Sequence, residues 1–419
     1  MTGFQSSRRM NKDIGDMRMR PKWHYRPERN WINDPNGFVY FQGWYHLFYQ
    51  YNPNGDQWGD IHWGHARSRD LLHWETLPLA LYPQKERKEK HCYSGGCCKD
   101  AFGVPHFFYT SVGDLEDGLD ARHGAYQRLA LPVDESLTKL VQDDAFALTQ
   151  EIHHGMKVLE WRDPCVVPWR GQYLMVLGGL VEGHGCALLY TSLDLLKWTY
   201  RHILARSERA DGVSWECPNL FFLDGKCALI YSPCSAVRIK LGSLDDGLHF
   251  HEEQDEVLDP GAWDGFYVPQ VTKDDLGRTV MIGWMPECDG IAHKGWAGVM
   301  SLPCVLTLDR DGVRADPVPG VDRLPGVKRL SVLREQLPFA WTVHRSADGA
   351  EETVLTLSPE GTLVLDRSRS TALASASHAS VRRQVPVKEI NEVWIAVDVS
   401  TVEVMVNGRW LSARIYPTQ

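Results

Sequence analysis

The sequence predicts an all-β protein in which a five-bladed β-propeller is followed by a small C-terminal β-sandwich. Three observations predict this fold. A glycine followed by a short apolar, aromatic-rich run occurs five times, at spacings of 60, 68, 54 and 52 residues. Each run is bounded by turn residues, which is typical of a strand. A Pro- and Gly-rich segment near residues 311–335 then precedes alternating strand patterns.

The five glycines mark a repeated strand–turn–strand unit. In several copies the glycine also closes an upstream strand, as in the run NGFVYFQG at 36–43. Units of about 50–60 residues with several strands are typical of propeller blades, and the alternative is a generic β-sandwich with recurring turns. The five runs are Gly43-WYHLFYQY, Gly103-VPHFFYTS, Gly171-QYLMVLGG, Gly225-KCALIYSP and Gly277-RTVMIGWM.

The chain divides into four segments. Residues 1–22 form an N-terminal extension, which contains five basic residues by Arg20 and no apolar run, so no secretory signal is expected. Residues 23–320 form the propeller, the candidate catalytic domain. A linker at 321–334 joins it to the sandwich at 335–419, which is also a candidate surface for homo-oligomers. In that last segment apolar and polar residues alternate before a hairpin signal at Asn407-Gly408.

Bulk composition excludes several functional classes. Hydrophobic residues make up 43% of the 419 residues and charged residues 24%, as in a soluble globular protein with a large core. The formal net charge of −9 argues against a nucleic-acid partner, and no run reaches transmembrane length. Ten cysteines without C-x-x-C spacing indicate reduced thiols in a cytoplasmic protein. No H-E-x-x-H or comparable ligand spacing occurs, so neither a metal nor a cofactor is expected.

Three acidic residues fall at similar places in the repeat. Asp34 lies nine residues before Gly43, Asp163 eight before Gly171 and Glu216 nine before Gly225. Equivalent positions on the innermost strands of a propeller converge on the central axis, so the three acids are predicted to share one funnel. Each precedes a proline by one or two residues, and the alternative is that each merely opens a turn.

A set of carboxyl groups in one funnel is typical of the active site of a glycosidase. That reaction needs a carboxylate and a carboxylic acid on either side of the scissile bond. Nearby negative charge and partial burial keep the acid protonated, and a third carboxylate favours positive charge at the anomeric carbon. We expect Arg162 to help keep its neighbour Asp163 ionised.

The motifs around these acids resemble glycoside hydrolase family 32, which contains invertases, fructan hydrolases and sucrose-6-phosphate hydrolases. Trp31-Ile-Asn-Asp-Pro-Asn-Gly37 is similar to the hallmark block of that family, and Tyr93-Ser-Gly95, Trp161-Arg-Asp-Pro164 and Trp215-Glu-Cys-Pro218 are similar to later blocks. The resemblance covers about Trp23 to Pro417. It implies a five-bladed propeller with a β-sandwich, in agreement with the repeats.

The resemblance also implies roles for individual residues. Asp34 would be the nucleophile and Glu216 the general acid/base of a retaining reaction on β-fructofuranosides, with Asp163 binding fructosyl hydroxyls and stabilising the transition state. Sucrose and short fructo-oligosaccharides are the expected substrates. Seven further residues match positions lining the fructose pocket, namely Asn33, Gln50, Trp58, Ser94, Arg162, Tyr267 and Trp284.

Alternatives remain at this level. A fructosyltransferase would share every catalytic residue, a sucrose-6-phosphate hydrolase would differ only in the aglycone, and an arabinan-type propeller glycosidase also uses three acids. A sugar-binding propeller without activity is the non-enzymatic alternative. The stretch 83–91 departs from the family pattern. Its basic residues Lys85, Arg87, Lys88 and Lys90 either face an anionic aglycone or belong to a solvated loop.

Overall fold

The computed structural model describes residues 19–113, 125–261, 265–288, 291, 295–372, 382–387 and 392–418. These residues form thirty β-strands and four short 3-10 helices. Within these ranges no helix is long and apolar enough to cross a membrane. The 3-10 helices are Lys85–Arg87, Gln150–His153, Val321–Arg323 and Arg334–Gln336.

Five of the seven sheets come from the predicted propeller, and each is built mainly from strands that follow one another along the chain. The first three sheets contain β1 (Asn30–Phe41), β2 (Trp44–Asn52), β3 (His62–Ser68) and β4 (Trp74–Leu81); β5 (Glu89–Lys99), β6 (Pro105–Gly113), β7 (Tyr126–Pro132) and β8 (Leu140–Gln142); and β9 (Leu159–Trp169), β10 (Gln172–Val181), β11 (His184–Ser192) and β12 (Thr199–Arg206). The other two contain β13 (Glu216–Leu223), β14 (Lys226–Ser232), β15 (Val237–Leu244) and β16 (Phe250–Asp259); and β17 (Tyr267–Lys273), β18 (Thr279–Met285), β20 (Val299–Met300), β21 (Cys304–Asp309) and β22 (Gly312–Pro317).

The five sheets close into a ring. Their first strands, β1, β5, β9, β13 and β17, contact one another in cyclic order, and β17 returns to β1. The short strand β19 (Trp296–Ala297), which lies between two strands of the fifth sheet along the chain, belongs to the first sheet and pairs in parallel with the start of β1, where Asn30 lies opposite Trp296. This pairing ties the end of the propeller to its beginning. The prediction of a five-bladed β-propeller is confirmed.

The repeated glycines lie in the turns between the first and second strands of the blades. Gly43 and its four counterparts adopt φ values between 75° and 83°, a region that a residue with a side chain rarely occupies. In three blades the preceding residue also has positive φ, as in Gln42, which is the geometry of the tight hairpin turns that suit twisted strands. The glycine recurs along the sequence because each blade needs this turn.

The last two sheets form the C-terminal sandwich. One contains β23 (Val327–Ser331), β28 (Glu392–Asp398), β29 (Thr401–Val406) and β30 (Arg409–Arg414), and the other contains β24 (Phe339–Arg345), β25 (Glu352–Leu357), β26 (Thr362–Arg369) and β27 (Arg382–Pro386). The segment predicted as a linker contains strand β23. The residues of β23 pair with β28, so this part of the segment belongs to the sandwich. The division into four segments stays a prediction, and residues 1–18 of the N-terminal extension lie outside the described residues.

Both faces of β29 are buried, although its sequence alternates. Val402, Val404 and Val406 belong to the core of the sandwich. Met405, on the other face, packs in the core of the propeller, and the Glu403 carboxylate accepts the backbone N–H of Leu302 at 3.0 Å. The polar-looking face of the strand therefore contacts the other domain rather than solvent.

A buried histidine joins the start of the propeller to the sandwich. The Asp398 carboxylate accepts the backbone N–H groups of Lys22, Trp23 and His24, and the His24 ring lies between Asp398 at 3.0 Å and Glu403 at 2.8 Å. Burial alone would lower the pKa of His24, but its hydrogen bonds to the two carboxylates raise it. In its protonated form the ring compensates two buried acids at the junction of the domains.

Candidate active site

The five innermost strands share one irregularity at the same end of the propeller. At that point each strand has one more residue than the strand with which it pairs, so each contains a β-bulge. A bulge bends the strand and changes the direction of its side chains. The five bulges span Ile32–Pro35, Cys92–Gly95, Arg162–Cys165, Glu216–Asn219 and Tyr267–Gln270.

All three predicted acids lie in these bulges, but at successive positions rather than at equivalent ones. Glu216 is the first residue of its bulge, Asp163 the second and Asp34 the third. Asp34 and Glu216 are nonetheless both nine residues from the glycine of the next turn. This is because β1 has a second extra residue between Asn36 and Val39, and because its paired segment between the first bulge and the turn is one residue pair longer than that of β13. The similar places that the sequence indicated are thus neighbouring positions of the bulge, and the side chains converge on one funnel as expected.

The bulges surround a pocket of about 700 Å³ at the mouth of the propeller. Nine of the ten predicted site residues are in its wall, and the tenth, Ser94, is buried directly behind Asp34. Trp58 is 48% exposed at the rim and contacts the ring of Tyr93. The wall consists of Trp31, Asn33, Asp34, Gln50, Trp58, Tyr93, Glu160, Arg162, Asp163, Glu216, Tyr267, Val268, Trp284, Pro286 and Glu287.

Polar neighbours fix both oxygens of Asp34. Its Oδ1 accepts a hydrogen bond from Asn33 Nδ2 at 2.9 Å, and its Oδ2 accepts from Ser94 Oγ at 2.5 Å and from Gln50 Nε2 at 3.2 Å. Burial raises the pKa of Asp34, the hydrogen bonds from Ser94 and Asn33 oppose this rise, and the charge of Glu216 adds to it. The donors orient a carboxylate that the protein interior would otherwise disfavour.

Arg162 links the acids of the third and fourth blades. Its Nη2 donates to Glu216 Oε1 at 2.7 Å, its Nη1 donates to Glu160, and its Nε lies 3.6 Å from Asp163 Oδ2. Burial would lower the pKa of Arg162, but the charges of Glu216, Asp163 and Glu160 raise it. The guanidinium therefore stays protonated among three carboxylates.

Asp163 is held in an unusual backbone conformation. Its φ is 65°, its N–H donates to Thr110 Oγ1 at 2.9 Å, and its Oδ2 accepts the N–H of Cys217 at 2.9 Å. Burial raises the pKa of Asp163 to about 7; Arg162 lowers it, and Asp34 raises it. The expected effect of Arg162 has the right sign but is outweighed by burial. A non-glycine residue at positive φ beside two other acids is typical of a functional site.

The Glu216 side chain is exposed to the pocket and can contact a molecule bound there. Its side chain is 18% exposed, and its Oε2 accepts a hydrogen bond from the hydroxyl of Tyr267 at 2.5 Å. The same hydroxyl accepts the N–H of Cys234 at 2.9 Å. Tyr267 and Arg162 thus hold one oxygen each, and the carboxyl group is presented to the pocket from a fixed position.

The sequence prediction missed several residues of the wall. Trp31 Nε1 donates to Asn33 Oδ1 at 2.7 Å, so it orients a residue that binds Asp34, and its place in the hallmark block was the available signal. Glu160 precedes Arg162 by two residues on the same strand, which was a weaker signal. Glu287 and Tyr93 lie outside the three acidic segments. In the described part of the chain, no group of His, Cys, Asp and Glu side chains is arranged to hold a metal ion.

Replacing Asp163 with asparagine is expected to stabilise the fold at pH 8 by roughly 1–3 kcal/mol, because it removes a buried charge and keeps the shape. The native state keeps this proton up to about pH 7, whereas the unfolded chain releases it near 3.8, so the contribution of Asp163 to stability falls as pH rises between those values. The gain in Tm should be larger at pH 8 than at pH 5. The exposed Asp246→Asn is the control, and an equal gain at both pH values would contradict the assignment.

Comparisons with known proteins agree with the geometry. The family described as "Glycosyl hydrolases family 32 N-terminal domain" matches residues 24–317, and that described as "Glycosyl hydrolases family 32 C terminal" matches residues 331–419. A cell-wall β-fructofuranosidase of Zea mays is 33% identical over 75% of this chain, which spans 58% of the maize protein. A sucrose-6-phosphate hydrolase of Escherichia coli is 29% identical over 95% of this chain and 89% of its own length.

Solved structures share the fold over nearly the whole chain. A Cichorium intybus fructan 1-exohydrolase IIa variant in complex with 1-kestose has a TM-score of 0.81 at 24% identity and covers 96% of this chain and 92% of its own. A Bombyx mori β-fructofuranosidase variant in complex with sucrose has a TM-score of 0.80 at 25% identity and covers 99% and 94%.

Proposed function

The chain belongs to glycoside hydrolase family 32, and from this premise we propose that it hydrolyses terminal β-D-fructofuranosides through a covalent fructosyl-enzyme. One observation carries the proposal: Asp34, Asp163 and Glu216 lie in a single pocket with fixed hydrogen-bond donors. Related enzymes named β-fructofuranosidase and sucrose-6-phosphate hydrolase support the reaction class.

In the first step Asp34 attacks the anomeric carbon of the fructosyl group. Its carboxylate is oriented for this by Ser94, Asn33 and Gln50. Glu216 donates a proton to the glycosidic oxygen as the bond to the aglycone breaks, so the aglycone leaves as a neutral alcohol. Asp34 is then joined to fructose through an ester bond.

In the second step the deprotonated Glu216 takes a proton from water, and the resulting hydroxide attacks the same carbon and releases Asp34. Two displacements return the original configuration. In its ionised form, Asp163 stabilises the positive charge that develops at the anomeric carbon in both steps, and its contacts to Thr110 and Cys217 hold it rigidly for this role.

The charge of the pocket favours a neutral aglycone. Five carboxyl groups belong to the wall, and among its described residues Arg162 is the one basic side chain. A phosphate would bring further negative charge towards these acids, which is unfavourable at short range. The basic run at 85–90 lies outside the wall, and its Arg87 pairs with Asp144. We therefore rank sucrose and short fructo-oligosaccharides above sucrose 6-phosphate.

Relative kcat/KM on sucrose, sucrose 6-phosphate, kestose, inulin and levan tests this ranking. We expect sucrose or kestose to exceed sucrose 6-phosphate by at least about tenfold, because like charges oppose its binding. The variant Lys85→Ala/Lys88→Ala is the control, and it should leave the ratio unchanged. A hundredfold preference for the phosphorylated sugar would overturn this ranking, and loss of that preference in the variant would assign phosphate binding to the basic run.

Transfer and hydrolysis differ in the acceptor for the fructosyl-enzyme. The Glu216 side chain is 18% exposed, so water can reach it in the second step, as hydrolysis requires. Product analysis at high sucrose distinguishes the two reactions, since a fructosyltransferase would make mainly oligosaccharides.

Location and assembly are also predictions. In the part of the chain that the structure describes, none of the ten cysteines forms a disulfide, which supports a reducing compartment such as the cytoplasm. Assembly through the sandwich would be visible as a concentration-dependent mass in light scattering.

A further inference from the structure

We propose that the C-terminal sandwich takes part in substrate recognition, because Arg414 and Tyr416 hold Glu287 in the wall of the active-site pocket. Arg414 and Tyr416 are then positioning residues for that wall. The inference rests on the proposed function for its substrate, but the contacts that carry it are independent of the catalytic acids.

The Glu287 carboxylate is held on both oxygens by the sandwich. Its Oε1 accepts from Arg414 Nη1 at 2.9 Å, and its Oε2 accepts from the hydroxyl of Tyr416 at 2.6 Å. The Tyr416 hydroxyl also accepts the N–H of Cys288 at 2.9 Å. The neighbouring residues Glu287 and Cys288 are therefore both hydrogen-bonded to one tyrosine of the other domain.

The ion pair is almost completely shielded from water. The Arg414 side chain is 0% exposed and that of Glu287 is 7% exposed. Arg414 is fixed in turn by Ser400, whose carbonyl and hydroxyl oxygens accept from its Nε and Nη2, and it also donates to the carbonyl of Met285 at 3.3 Å. A charge buried in this way keeps its geometry, since moving it away from its partner is costly.

Glu287 also contacts a segment that packs against two other parts of the pocket. Its Oε1 also accepts the N–H of Gly298 at 3.1 Å. Gly298 lies so close to the Ile32 carbonyl and to Trp284 Nε1 that an added Cβ would be 2.1 Å and 2.8 Å from them. Ile32 begins the bulge that contains Asp34, and Trp284 is in the wall. The carboxylate therefore sets the spacing between the Trp284 side of the pocket and the strand of Asp34.

The same strand provides a matched control. Arg409 and Arg414 are the two ends of β30, and both pair with a propeller carboxylate. Arg409 pairs with Glu256 at 3.3 Å, in the cleft between the domains and away from the pocket wall. Loss of either pair weakens the domain interface, but only loss of the Arg414 pair changes the pocket.

The test compares Tyr416→Phe and Glu287→Gln with Arg409→Met, using steady-state kinetics on sucrose and kestose and thermal unfolding. We expect Tyr416→Phe and Glu287→Gln to raise KM about five- to twentyfold with kcat within about twofold, because binding geometry changes while the acids stay in place. Arg409→Met should lower Tm with KM unchanged. Arg414→Lys, which keeps the charge, should restore most of the affinity relative to Arg414→Met.

An unchanged KM in both Tyr416→Phe and Glu287→Gln would overturn the inference, and so would an equal rise in KM in Arg409→Met. If the wild-type protein hydrolyses neither sugar, the proposed function fails instead. The inference is then decided by calorimetric titration with fructose, in which the two pocket variants should bind at least about fivefold more weakly than Arg409→Met.

Discussion

Asp34→Asn is expected to lower kcat on sucrose by roughly 10⁴–10⁶-fold, since an amide cannot form the covalent intermediate. The fold should survive, because asparagine keeps the shape of the side chain, and its remaining oxygen still accepts either from Asn33 or from Ser94 and Gln50. Initial rates over a wide enzyme concentration range measure the loss. The exposed Asp246→Asn is the matched control for the chemical change.

Asp34→Ala extends the same test to the mechanism. Removal of the side chain leaves room for azide on the face of the sugar from which Asp34 attacks. Azide should then form the bond to the anomeric carbon while Glu216 protonates the departing oxygen, and the product is a fructosyl azide of inverted configuration. Full hydrolytic activity of Asp34→Asn, or azide rescue that gives the retained anomer, would contradict the role of nucleophile.

The blade count was predictable because one local requirement recurs. Each blade needs a tight turn after its first strand, and positive φ at that turn favours glycine, as at Gly43 and Gly277. The alternation of residues in β29 was also visible in the sequence, but the sequence did not show what its second face contacts. Whether Glu403 and Met405 face solvent or another domain depends on packing between segments far apart in the chain.

The candidate site was predictable in its members and not in its geometry. A proline one or two residues after each acid marked the right strands, but the position of the bulge was not readable from the sequence, so the successive positions of Glu216, Asp163 and Asp34 required the observed register. The pKa of Asp163 near 7 depends on burial by several blades. Glu287 was missed because its partners lie 127 and 129 residues away.

Glu216→Gln is expected to slow sucrose hydrolysis by roughly 10²–10⁴-fold, because the leaving alcohol then lacks its proton donor. Gln keeps the contact to Tyr267 but weakens the one to Arg162, so binding should change less than turnover. The matched comparison is Glu160→Gln, which removes another carboxylate from the same arginine and should cost less than about tenfold.

The leaving group separates an acid/base from a structural carboxylate. A 4-nitrophenyl β-D-fructofuranoside needs little protonation, so Glu216→Gln should still form the fructosyl-enzyme from it, with a burst of nitrophenol. The second step also needs Glu216, as the base for water, so the intermediate should accumulate and be visible as an added fructosyl mass on the intact protein. Equal losses on sucrose and on the nitrophenyl substrate, without a burst, would mean that Glu216 does not transfer the proton.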